Sequence, residues 1–201
     1  MNIKLPLILA GLVLASLALT GCTNATPQTP TPVQPVAEQP TTAQKQPLTG
    51  EEIMFAQMMI PHHQQAITLA EIAETRTTNP DILTLAKNIK NAQDPEIAQM
   101  TELLTQAGAP TTMGHDMLMP GLLTTTQLEE LKTKTGTDFD KTWLTYMTAH
   151  HQGAIEMVSN VMSFSNQNMT TIAQNITTAQ QQEIATMQNL QSQNKRHHRQ
   201  Q

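Results

Sequence analysis

Methionine and histidine recur in this chain in one spacing, twice. Met59-Ile60-Pro61-His62-His63-Gln64-Gln65-Ala66-Ile67 returns 88 positions later as Met147-Thr148-Ala149-His150-His151-Gln152-Gly153-Ala154-Ile155, with six of nine residues identical. A second block, Asn88 to Met100, returns 87 positions later as Asn175 to Met187, with eight of thirteen identical. At helical spacing Met59 shares a face with His62 and His63, as Met147 does with His150 and His151. Met58 adds a sulfur four residues before His62. In the second block Glu96 and Met100 stand four apart, and so do Glu183 and Met187. Imidazole with thioether and no thiolate suits copper, Cu(I) above all, and also admits silver. Zinc would use the imidazoles and gain little from sulfur.

Packing is the competing role for each of these residues taken singly. A Met at a bundle position ordinarily fills core, and one buried His ordinarily just finds a hydrogen bond. A repeated adjacent pair is different, because burying two imidazoles costs desolvation without an obvious packing gain. The expected ligands are therefore His62, His63, His150 and His151, with Met59, Met147, Met100 and Met187 beside them. Glu96 and Glu183 are expected to orient ring nitrogens from behind, and Gln64 and Gln152 to act as polar bridges. A third cluster, Met113-Gly114-His115-Asp116-Met117-Leu118-Met119, offers three sulfurs and an imidazole. It reads equally as a loop Cu(I) site through Met113, His115, Met117 and Met119 or as an apolar lid on the bundle.

Helices must position these groups. Thr49 with Glu52 three residues on is a capping box, opening a helix to about Arg76. Asn79-Pro80-Asp81 caps a second, which stops at Gly108. Thr137 with Asp140 is expected to open a third through about Ser163, and a fourth spans about Met169 to Asn194. Pro61 and Pro95 fall inside helices and are read as kinks. The connection between the pairs holds a short helix around Thr124–Lys134, capped by Thr124 and Gln127. The expected fold is all-α: a ferritin-like four-helix bundle made of two pseudo-repeated helix pairs related by an approximate two-fold axis.

The segments outside that bundle carry other signals. Lys4 precedes an apolar run from Leu5 to Leu19 that is too short and wrongly flanked to span a membrane. It ends in Leu19-Thr20-Gly21-Cys22, which has the form of a lipoprotein box, so residues 1–21 read as a signal peptide and Cys22 as the lipidated residue. Cys22 is the single cysteine of the chain, which leaves no disulfide and no thiolate ligand. Residues 22–48 are rich in Pro, Thr and Gln, an extended tether of roughly 3 Å per residue. Residues 49–194 form the metal-binding domain, and 195–201 a basic tail whose His197 and His198 read as solvated surface residues, with weak metal binding as the lesser alternative.

Composition narrows the function. Thirteen Met and one Trp among 201 residues, with a formal charge of −5, describe a sulfur-rich domain without the basic surface that nucleic acid needs. No Glu-x-x-His occurs, which removes the di-iron ligand pattern, and no nucleophile elbow or phosphate loop is present. No enzymatic activity is expected.

Taken together, these motifs resemble the bacterial domain-of-unknown-function family 305. The residues that carry the resemblance are Met59-x-x-His62-His63 with Ala66 and Ile67, Gln93 with Glu96-Ile97 and Met100, and Met119-Pro120-Gly121. In the second half they are Phe139-Asp140, Met147-x-x-His150-His151-x-Gly153-Ala154, and Glu183-Ile184 with Met187. The chain departs from its own repeat at Gln65, where the second copy has Gly153. The resemblance implies a ferritin-like bundle and an exported copper-binding protein linked to copper resistance. The expected protein is thus an envelope lipoprotein, anchored through Cys22 and facing the periplasm or exterior, that sequesters or delivers Cu(I) or Cu(II). Its partners would be the metal ion, the membrane and other envelope copper-handling proteins. A metal-free helical interaction module, or a metal-dependent oxidase, is the alternative. Because neutral imidazole is the ligand, affinity is expected to fall below about pH 6.

Overall fold

The computed structural model describes residues 46–114 and 118–199. The signal segment, Cys22, most of the tether, His115 and Met117 lie outside the described residues. Five helices follow in order: α1 (Gly50–Arg76), α2 (Pro80–Gln106), α3 (Thr125–Thr133), α4 (Gly136–Ser159) and α5 (Gln167–Arg199). No strand occurs among the described residues. The pair α1 and α2 packs on the pair α4 and α5 through α1 against α4 and α2 against α5, and short α3 rests on α1 and α4. This is the expected all-α bundle with a short helix in its central connection.

Local chemistry starts most of these helices. Thr49 accepts the Glu52 N–H at 3.2 Å while the Glu52 carboxylate accepts the Thr49 N–H at 2.8 Å, closing the capping box of α1. Asn79 caps α2 by accepting the Asp81 N–H at 3.1 Å, with Pro80 at the first helical position, where its missing N–H removes no bond. Thr124 and Gln127 form the capping box of α3. Both α1 and α2 run on through Pro61 and Pro95. The fourth bundle helix is longer than expected, continuing through His197 and His198 to Arg199.

Helix α4 departs from expectation. It starts at Gly136 after Thr135 with no side-chain cap and ends at Ser159, short of Ser163. Asp140 does not close a box with Thr137. It accepts from Thr77 Oγ1 at 2.6 Å and from Asn79 Nδ2 at 3.1 Å, across the bundle in the α1–α2 turn. Glu52, at the equivalent place in the first repeat, accepts the Ser165 and Asn166 N–H groups at 2.8 Å in the α4–α5 turn. Asn166 in turn caps the start of α5, as Asn79 caps α2. Each repeat thus latches the turn of the other. Contact with the bundle also begins before Thr49: Leu48 packs on the core, and the Asn166 amide donates to the Gln46 carbonyl.

The core is two apolar clusters. One joins the later part of α1, the start of α2, the start of α4 and the later part of α5 around Leu69, Ile89, Trp143 and Met147. The other joins the opposite halves of those helices around Phe55, Met100, Met157 and Ile172. Between them, at mid-bundle, the sequence supplies polar residues from every long helix.

Candidate metal centre

That band comprises His62 and His63 on α1, Gln93 and Glu96 on α2, His150 and His151 on α4, and Gln180 and Glu183 on α5. All four histidines are fully buried, and both glutamines nearly so. Helical periodicity explains the placement. On α2 the inward stripe runs Ile82, Leu85, Ile89, Gln93, Met100 and Leu104, so an inward residue at 93 falls on the core side whatever its polarity.

The two His-His motifs do not stand as two separate clusters. His62 and His150 stack with ring centroids 3.8 Å apart, tilted by 38°. His63 and His151 flank this pair, each backed by a carboxylate: His63 Nε2 lies 2.9 Å from Glu96 Oε2 and His151 Nε2 lies 2.8 Å from Glu183 Oε2. His62 Nε2 lies 3.0 Å from the Pro120 carbonyl. A carbonyl or carboxylate oxygen only accepts, so in the neutral ring each of these Nε2 atoms carries the hydrogen and donates. The Nδ1 atoms of His62, His63 and His151 are then bare lone pairs. None of the three has a hydrogen-bond partner, and neither ring nitrogen of His150 has one.

Burial sets the charge state. It pushes His62 down to about 3, helped by the positive charge that His63 would carry. His150 is held well below the ordinary imidazole value, first by burial and then by its neighbour His62. Both rings are neutral near pH 7, which is the ligand form. Five buried nitrogens without a protein partner are costly unless something satisfies them.

Sulfur approaches the band from both ends. Met59 and Met100, fully buried, belong to one apolar cluster, and Met147 and Met187 to the other. Thr148 Oγ1 reaches Met187 Sδ at 3.6 Å. Met119 is partly buried against the second cluster, and Met113 lies in the connection before the undescribed residues. Among the described residues no group of three or more His, Cys, Asp or Glu is arranged to hold a metal ion.

Sequence reasoning missed three parts of this centre. Gln93 and Gln180 lie in the band with both side-chain polar atoms unpaired; the signal was there, since both fall in the repeated block three residues before the Glu. The Pro120 carbonyl was not considered. The bridging role went to the wrong glutamines: Gln64 and Gln152 are exposed, whereas Gln65 grips Leu123, donating to its carbonyl at 2.9 Å and accepting its N–H at 2.7 Å. Its counterpart Gly153 has the opposite task. A Cβ there would lie 2.0 Å from the Pro120 carbonyl oxygen. Gly121, at φ +75°, would put a Cβ 2.5 Å from the Ala149 carbonyl oxygen. The connection crosses α4 backbone to backbone, and that close approach brings Pro120 to His62.

Comparison with known proteins agrees with this architecture. The sequence model of the family described as "Domain of unknown function (DUF305)" matches residues 52–191. No functionally curated protein matches. Among solved structures, a DUF305 fragment from Deinococcus radiodurans superposes with a TM-score of 0.68 at 28% identity, covering 73% of this chain and 99% of that one. A putative secreted DUF305 protein from Streptomyces coelicolor gives 0.68 at 26% identity, covering 72% and 93%. CopM in its Cu(I)-bound form gives 0.60 at 30% identity, covering 71% and 96%. CopM is also solved with Cu(II) and with silver.

Proposed function

Since the chain belongs to the DUF305 family, we propose that it is a copper-binding protein whose mid-bundle band takes up the ion as cargo. The observation that carries this reading is the set of five unpaired imidazole nitrogens, buried between two pairs of thioethers. The similarity to CopM, solved with Cu(I), Cu(II) and silver, supports the same class of ion.

In this reading His62, His63, His150 and His151 supply nitrogen, and Met59, Met100, Met147 and Met187 supply sulfur. Glu96 and Glu183 hold the outer rings in the tautomer that presents Nδ1, the usual work of a carboxylate behind a ligating histidine. Gln93 and Gln180 line the same band. The preferred ion is Cu(I), with silver(I) as its mimic. Met113, His115, Met117 and Met119 would add a second capture site in the connection. The protein serves sequestration, tolerance or delivery, with no catalytic role. Lipidation at Cys22 would tether it to an envelope membrane, with other copper-handling proteins within reach of the domain.

Anaerobic Cu(I) competition against a chromophoric chelator tests the centre. The wild type should hold Cu(I), and His62→Ala/His150→Ala should bind fewer Cu(I) per chain while remaining helical. An unchanged stoichiometry in the variant would remove the band from the binding site. Metabolic labelling with an alkyne fatty acid tests the anchor, and labelling that persists in Cys22→Ser would exclude it.

A further inference from the structure

A cavity of about 250 Å³ opens on the α1–α4 seam, lined by none of the four band histidines. Three of its lining side chains are thioethers: Met54 and Met58 from α1 and Met157 from α4. Phe55, Val161 and Pro120 complete most of its wall, and Glu51 stands at the rim. Met54 is 45% exposed, Met58 half-buried and Met157 only 5% exposed. The three methionines thus range from exposed to buried around one cavity.

The repeat shows that the fold does not require sulfur here. The positions equivalent to Met54, Met58 and Met157 in the other half are Thr142, Tyr146 and Leu69. The fold thus accepts other side chains at all three equivalent positions, and a large apolar residue left 45% exposed gains little from packing. The cavity also abuts the band by covalent steps. Met58 is one helical turn before His62, and Pro120, a wall residue, is the one whose carbonyl holds His62.

We infer that Met54, Met58 and Met157 form a separate, solvent-accessible site for a monovalent soft cation, Cu(I) or Ag(I), at the mouth of the seam. Thioethers are neutral, soft donors, so they favour a weakly hydrated monovalent ion and give a hydrated divalent one little reason to shed water. Glu51 adds negative charge where the ion arrives. The site stands on its own residues and does not depend on the buried histidines as ligands.

The test is silver(I) titration of the full chain carrying ¹³C-labelled methionine methyls, assigned by single Met→Leu variants. The methyls of Met54, Met58 and Met157 should shift together, in the wild type and equally in His62→Ala/His150→Ala, while zinc leaves them in place. The variant Met54→Leu/Met58→Leu/Met157→Leu, nearly volume-conserving, should lose silver capacity by calorimetry and keep its helicity. Three unmoved methyls in the wild type would overturn the site. So would a response that vanishes with the histidines, an equal response to zinc, or an undiminished capacity in the triple Leu variant. Should that variant not fold, the wild-type methyl titration decides alone.

Discussion

His62 and His150 occupy the same place in the two repeats, and their rings lie 3.8 Å apart by centroid. The repeats therefore touch at the same residue of the motif, and what looks in sequence like two sites is one band shared by four helices. Neither ring can be charged easily there, and His150 has no partner for either nitrogen. Several expectations follow from that pairing and its supports.

Replacing His150 with Leu should stabilise the metal-free protein. The substitution removes two unsatisfied buried nitrogens whose desolvation costs about 1–3 kcal/mol. Thermal melts in chelator should show a higher midpoint for His150→Leu. With silver(I) present the order should reverse, because the wild type gains more binding energy on folding than a variant that lacks this ring. A lower midpoint in chelator would mean that His150 is satisfied in solution.

Acid should destabilise the apo protein over a defined window. The His62 value moves from 6.5 down to about 3 on folding, through burial and then the neighbouring His63. Between those pH values the unfolded chain carries a proton on His62 that the folded chain lacks, so stability falls as pH drops through 6.5 and goes on falling to about 3. Above 6.5 the contribution is full and flat. The slope is about 1.4 kcal/mol per pH unit for each such imidazole, with His150 adding in the same direction. Denaturant melts from pH 7.5 to 4.5 check it. The sequence-based expectation of weaker binding below about pH 6 gains a second cause: with His62 lowered to about 3, mild acid acts there by destabilising the fold before it protonates the folded ring.

Glu183→Gln should weaken Cu(I) binding by about 10–100-fold with little loss of helicity, because it removes the carboxylate that fixes the His151 tautomer. Glu96→Gln should do the same through His63. Equal affinities for both variants and wild type, measured by chelator competition, would leave the carboxylates with a packing role only.

Gly153→Ala should cost about 1–3 kcal/mol, since its Cβ would meet the Pro120 carbonyl at 2.0 Å and force the connection off α4. The same change should free His62 Nε2, so metal affinity should change along with stability. Gln65→Ala, which unclasps Leu123, should lower stability while sparing α4. Urea melts separate the two.

Much of this fold could be read from the sequence because it is local. The capping boxes at Thr49 and Thr124 are four-residue devices, and the repeat announced which residues share a level of the bundle. Asp140 shows where local reasoning fails: its spacing from Thr137 fits a box, but Thr77 and Asn79 across the bundle compete for the same carboxylate and win. The His-Glu pairs followed from helical register. The Pro120 carbonyl did not, because a loop's path over a helix depends on Gly121 and Gly153 acting together, 32 residues apart. Gln93 and Gln180 repeat at the same place before each Glu, but an amide in an apolar stripe says nothing by itself about ligation.

The reciprocal latches have one further meaning. Glu52 of the first repeat holds the turn at Asn166, and Asp140 of the second holds the turn at Asn79. Contacts in which i meets j and j meets i are the signature of an isologous dimer interface. Here that interface is folded into one chain. A dimer of half-length chains would assemble its shared centre only above its dissociation constant, whereas the fused chain keeps both halves together at any dilution. The tandem arrangement thus removes protein concentration from the assembly of the shared band.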